Sequence, residues 1–387
     1  TAPAVVGLSA TGSASFHGLS PNFVPPLTHE FDLSVEQQLP GKLALSVGYV
    51  GSRALRLPVF LDANLVGQTK HGLRTFNVTD QFGKTSQLTV PYYLASDRID
   101  PTLTSINAGF SVANSWYHSM AVTIRRPFDH GFELLVNHTW SKALDSDQVA
   151  GAFGTFYGGN PVLDPNNLRA EYGRSDLDVR NRFVGTLIWQ PHLYESNKWV
   201  KQGLDGFLFS GTATESTGQP IVAAMSGTVA ASWSIKGGPS SPLAAKAADG
   251  NIYGGTMSSS SGAPTTGRPP LIRRNSQPGP GTRNIDFRVT RDVPIHDRYK
   301  LQFIAEAFNV MNHTIVSGVN NTYSTYAGPT NNSGACPVSS TPEGSTFWGC
   351  ITPFVPNAPY QAFGNASSSS STLYGARQMQ FQAKFTF

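Results

Sequence analysis

Five aspartates gather near the middle of this 387-residue chain: Asp145, Asp147, Asp164, Asp176 and Asp178, with Asn167 among them. Carboxylate and amide oxygens are the hard donors that Ca²⁺ takes. The stretch lacks the spaced ligands and fixed glycine of a calcium loop, so solvated turn acids are the expectation. Nine histidines are scattered from His17 to His313, and none stands at the His-x-x-x-His spacing of a helix-borne metal site. There is no Gly-x-Ser-x-Gly elbow and no glycine-rich phosphate loop leading into a helix. The expectation is therefore a protein that is not an enzyme and carries no cofactor and no metal. Cys336 and Cys350 lie in a Gly/Ser/Thr/Pro-rich segment without a nearby histidine, which favours a local loop disulfide over a metal site. Such a bond implies an oxidising compartment, two free thiols being the alternative.

The remaining charged residues sit inside alternating segments, and the alternation is what must position them. In 27–39, Phe31, Leu33 and Val35 alternate with Glu30, Asp32, Ser34 and Glu36. A period of two is that of a strand, with one face apolar and the other polar. Pro40-Gly41-Lys42 then reads as a hairpin turn into 43–51, which carries Leu43, Leu45, Val47 and Tyr49 on one face. Similar pairs are 117–126 with 131–142, 181–190 with 204–214, and 283–293 with 299–310. The last eleven residues alternate strictly, with Met379, Phe381, Ala383, Phe385 and Phe387 on one face. That makes nine strands, with a possible tenth near residues 13–17.

Composition fits such a chain. Charged residues are 13% and hydrophobic residues 39%, against about 25% and 45–50% in typical soluble domains. No apolar run is long enough for a transmembrane helix, but a barrel hides its apolar residues by alternation. The net charge of +4 is spread among acids such as Asp286 and Asp292, without the clustered basic face that nucleic acid requires. Between the strand pairs lie long polar stretches, 58–103, 143–179, 215–281 and 313–374. Short turns on one side and long loops on the other is the asymmetry of an outer-membrane barrel. If the apolar faces meet lipid, Glu30, Asp32, Glu36, Arg125, Glu133, Arg182, Asp286, Arg288, Gln302 and Glu306 point to the lumen. They are expected to pair across strands there. Tyr49, Trp140 and Trp189, near strand ends, are candidates for aromatic girdles.

Five ordered segments carry a resemblance. They are Leu27-Thr-His-Glu-Phe-Asp-Leu-Ser-Val-Glu-Gln-Gln-Leu-Pro40, Val47-Gly-Tyr-Val-Gly-Ser-Arg53, Asn137-His-Thr-Trp-Ser-Lys-Ala-Leu-Asp145, Asp178-Val-Arg-Asn-Arg-Phe183 and Glu306-Ala-Phe-Asn-Val-Met-Asn-His313. Together with the terminal Phe387 they resemble the barrel of Oar-like TonB-dependent transporters, a family abundant in acidobacteria. The resemblance implies an outer-membrane barrel of about 22 strands in a Gram-negative bacterium, with an N-terminal plug through which the TonB complex acts. It also implies uptake of a large organic ligand such as an oligosaccharide or peptide, and outer-membrane lipid and the outer-membrane assembly machinery as partners. Phe385 and Phe387 resemble the signal that machinery reads. No plug and no carboxypeptidase-regulatory-like domain is expected within residues 1–387. It is expected to be all-β, the C-terminal portion of one barrel domain over 1–387, with nine or ten of the strands. The lumen charges would then dock a plug and stabilise the wall. A passive pore or structural barrel, and a secreted β-sandwich adhesin, are the alternatives.

Overall fold

The computed structural model describes residues 15–70, 72–79, 84–92, 97–103, 105–146, 162, 164–191, 206–221, 223–226, 273–296, 299–320, 322–327, 347–353, 364, 366–369 and 375–387. Nine strands form one antiparallel meander. They are β2 (Leu27–Leu39), β3 (Leu43–Asp62), β6 (Ser105–Asp129), β7 (Phe132–Asp145), β9 (Asn181–Trp189), β10 (Phe207–Ser216), β14 (Thr282–His296), β15 (Tyr299–Phe308) and β20 (Gln378–Thr386), hydrogen-bonded in that order. These are the nine strands expected from alternation. β9 and β20 have nine residues each, the length that crosses a bilayer when tilted.

The turns are set locally. Gly41 and Lys42 take φ of 77° and 61° between β2 and β3, and His130 and Gly131 take 49° and 76° between β6 and β7. Two successive positive φ values match the right-handed twist of a hairpin. The second turn lies later than 127–130, where proline suggested it, because β6 continues through Pro127 to Asp129 with a register shift. Lys42 reaches across to Asp129 at 2.7 Å, and Arg126 donates to the Gly41 carbonyl at 3.1 Å, tying neighbouring turns together.

Register staggers steadily across the sheet. The row from Ala44 passes through Arg125, Leu135, Thr186 and Thr212 to Asp286. Ala44 lies beside a turn, whereas Asp286 lies near the opposite, long-loop end of β14. Strands so staggered are tilted, which is how a sheet curls toward a barrel. Every described residue of β2 and β20, the two ends of the meander, is exposed, and among the described residues neither pairs with the other.

The long stretches were expected to be loops, and here the structure differs. β3 runs 20 residues and β6 runs 25, so this hairpin continues far past the nine-residue span. A register shift next to Arg56, whose φ is 58°, bends it. Above the bend, Ala54, Leu57, Val59, Leu61 and Ala113 bury against Val162. Five further strands come from three different stretches: β4 (Gly72–Thr79), β5 (Thr85–Tyr92), β12 (Ala224–Ser226), β17 (Thr322–Ala327) and β18 (Phe347–Pro353). They join as one sheet in the order β12-β17-β18-β4-β5. β4 pairs with its chain neighbour β5 and β17 with β18, but the links that make one sheet, β12 to β17 and β18 to β4, join distant stretches that no local pattern marks. β11 (Pro220–Ile221) pairs β13 (Gln277–Pro278), and β16 (Val316–Val319) pairs β19 (Ala366–Ser369). The short strand near 13–17 is β1 (Ser15–Leu19). It runs parallel to the start of β6, outside the meander, and adds no tenth stave.

Candidate functional site

Residues paired directly across a strand share a face, so the register assigns every side chain of the meander. Phe31, Leu33 and Val35 continue through Val47 and Tyr49, Met120 and Val122, and His138 and Trp140. The same face carries Trp189, Phe209, Val289, Ala305 and Phe381 farther along. It is apolar and well exposed: Leu33 is 68% and Phe381 81% accessible. Phe385 lies on it, stacked between Tyr299 and Phe387 at 5.8 and 6.3 Å. Trp189 stands at the turn end of β9 and Trp140 toward the loop end of β7. Tyr49 departs from expectation. It is mid-strand because β3 continues to Asp62, and its hydroxyl meets His118 Nδ1 at 2.6 Å.

The opposite face collects Glu30, Asp32, Arg125, Glu133, Arg182, Asp286, Arg288 and Glu306. Pairing across strands was expected there and is found at one end. Arg288 meets Glu306 at 3.2 Å, Gln380 also donates to Glu306, and Asp286 accepts from the Asn309 amide at 2.9 Å. Nearby, Lys300 and Gln302 reach Asp292 at 2.5 and 2.8 Å. Elsewhere the register gives neutral neighbours. Glu30 faces Ser52, Asp32 faces Val50, Arg125 faces Ala44 and Leu135, Glu133 faces Ile188, and Arg182 faces Thr139 and Ser216. These five charges therefore have no ion-pair partner among the described residues.

At the loop end the polar groups are densely paired. The central acids were expected to be solvated, and the structure corrects this: Asp145, Asp164 and Asp178 are buried. Asp178 accepts from Arg174 and Arg180 at 2.7 Å each and from the Ala143 amide at 2.7 Å. Burial opposes its ionisation, but the Ala143 amide and the two guanidiniums outweigh that and hold the carboxyl below its ordinary range. Asp145 pairs with buried Arg274, which also donates to the Glu171 carbonyl at 3.1 Å and reaches Asp176 at 3.4 Å. Lys70 reaches Asp164 at 2.8 Å. Among the described residues no group of three or more His, Cys, Asp or Glu is placed to hold a metal. Asp147 and Cys336 fall outside the described residues, as does the Cys350 side chain.

Two of the resembling segments meet in this region. Ser141 donates to the Val179 carbonyl at 2.6 Å, joining the 137–145 and 178–183 segments. The 306–313 segment closes on itself through buried Asn309, which donates to the His313 carbonyl at 3.0 Å and the Gly375 carbonyl at 2.8 Å. Their described role is to fasten loop ends to strand tips. Arg274, Asn275 and Asn64, which share this task with Asn166 of the 164–167 stretch, went unnoticed in the sequence. Asn64, wholly buried, donates to the Asp100 carbonyl at 2.9 Å, and Asn166 spans to the Leu65 carbonyl at 3.0 Å.

A family model described as "Outer membrane beta barrel domain" matches residues 1–380. No curated protein matches the chain. Among solved structures, the outer membrane transporter YddB from Escherichia coli aligns with 77% of this chain and 30% of its own, at 8% identity and a TM-score of 0.37.

Proposed function

This chain belongs to the family of outer membrane beta barrel domains, and on that premise we propose that it walls the channel of an Oar-like, TonB-dependent transporter for large organic ligands. Its place is the outer membrane of a Gram-negative bacterium, and its meander, apolar on one face and polar on the other, is part of the barrel wall. A secreted β-sandwich is thereby set aside. The observation that carries the proposal is the row of unpaired charges on the inner face. Glu30, Asp32, Arg125, Glu133 and Arg182 remain without ion-pair partners among the described residues although Arg288 and Glu306 found each other nearby. Charges kept in a lumen without mates in the wall suit a plug that docks there, or water. The stagger and the two edges left unpaired among the described residues support a wall wider than nine strands, and wide barrels are the ones that accommodate a plug. The wall carries no reaction in this reading, and its residues position and dock.

The test is energised uptake in cells. Fluorescently labelled oligosaccharides and peptides are supplied to cells making the protein, with and without the TonB complex. Entry that stops when TonB or the proton gradient is removed is the expected result. Entry that persists without either, together with steady conductance in planar bilayers, would establish the passive pore instead.

A further inference from the structure

We propose that a cavity of about 510 Å³ on the loop side of the sheet binds a small ligand that carries a carboxylate on a ring. It lies against the part of β6 that has outrun its neighbour: β7 pairs with β6 only as far as Ser115, and β1 only between Ser105 and Gly109. Among the described residues the edge between them is therefore without a strand. Leu168, Arg169 and Ala170 of the 3-10 turn Leu168–Glu171 line the cavity together with Arg273 from another stretch.

The lining has two kinds of group. Trp116 and Tyr172 form an edge-to-face corner, ring centres 5.6 Å apart at 88°, and Arg53 lies 5.4 Å over the Trp116 ring and fixes it. Tyr172 is 45% exposed and offers an aromatic surface to a ring. Arg169 and Arg273 stand at the rim, both exposed. The surrounding acids are already engaged: Asp145 and Asp176 by Arg274, and Asp178 by Arg174 and Arg180. Arg169 and Arg273 thus keep their charge without a carboxylate at ion-pair distance among the described residues. A guanidinium fork beside an aromatic wall matches a planar carboxylate joined to a ring. The volume falls within the ~300–1,000 Å³ of small-molecule sites. An acidic sugar and an aryl carboxylate share this chemistry. The proposal rests on the transport reading only for the fate of the ligand, since capture precedes passage.

Binding is measured on the purified full chain in detergent by calorimetry and by tryptophan fluorescence, Trp116 being part of the wall. The probes are trigalacturonate, 4-hydroxybenzoate and neutral maltotriose. At least one charged probe is expected to saturate the site, more weakly as salt rises, and which one does so identifies the source. The Arg169→Gln/Arg273→Gln double variant should lose at least tenfold in affinity, while Arg283→Gln, an exposed arginine elsewhere, should lose none. Far-ultraviolet circular dichroism checks that the variants retain their strands. Saturation by neither charged probe, equal binding of maltotriose, or unchanged affinity in the double variant would overturn the proposal. Retained binding without energised uptake would overturn the transport reading alone.

Discussion

Asp178 is the side chain on which the loop end turns. Its carboxylate is fully buried and holds Arg174 and Arg180, so removing its charge leaves two guanidiniums facing a neutral group. Because both arginines are part-exposed, the loss is that of charge-assisted hydrogen bonds, about 1.5–3 kcal/mol. Asp178→Asn is therefore expected to lower the temperature at which the β-strand signal in circular dichroism is lost. The pH dependence has a definite sign. The folded pKa lies below the ordinary 3.8, so the stabilisation is complete above that value and is lost as pH falls through the folded pKa. Wild-type protein should lose stability below about pH 4, and Asp178→Asn should flatten that part of the curve. A variant with the same acid limb as wild type would place the transition elsewhere. The sequence made Asp145 and Asp178 visible as acids but not as buried ones. The burial of Asp145 depends on Arg274, which bonds to it from 129 residues away in a stretch of low complexity, and composition cannot reveal such a mate.

At the scale of the strand, alternation was nearly sufficient. All nine staves of the meander were legible because each must show one face to an apolar medium and the other to a polar one, which forces a period of two. The ends were less legible. β3 and β6 run on past the apolar band because their upper halves pack against Val162 rather than lipid, and that core has no periodic signature. β4, β5, β17 and β18 were missed because backbone pairing, not an apolar face, specifies them. β20 tests the face assignment. Phe381 lies on the apolar face and its neighbour Gln380 on the polar one, beside Glu306. A lysine facing the bilayer core costs ~2–4 kcal/mol. Phe381→Lys should sharply reduce the fraction inserted in outer-membrane preparations, whereas Gln380→Lys should not. Equal loss from both would mean that the strand is not half in lipid.

For the whole molecule, β2 and β20 pose the same physical problem from opposite ends. Each presents an unpaired row of amides and carbonyls among the described residues, and such groups cannot remain bare in hydrocarbon. A free edge is a template for another strand. These 387 residues, refolded alone in detergent, are expected to associate edge to edge and give a protein mass by light scattering above 41.5 kDa. A monodisperse single chain with folded migration would mean that β2 and β20 close on each other. The stagger was not legible in the sequence, since no single strand records how far its neighbour has slipped.

The sheet β12-β17-β18-β4-β5 draws strands from three well-separated surface excursions of the chain, 72–92, 224–226 and 322–353. For protein engineering, and for natural variation alike, those excursions are not interchangeable modules. A graft that replaces one would strip its partners of their backbone mates, so new outer surfaces on this wall have to be exchanged as a matched set.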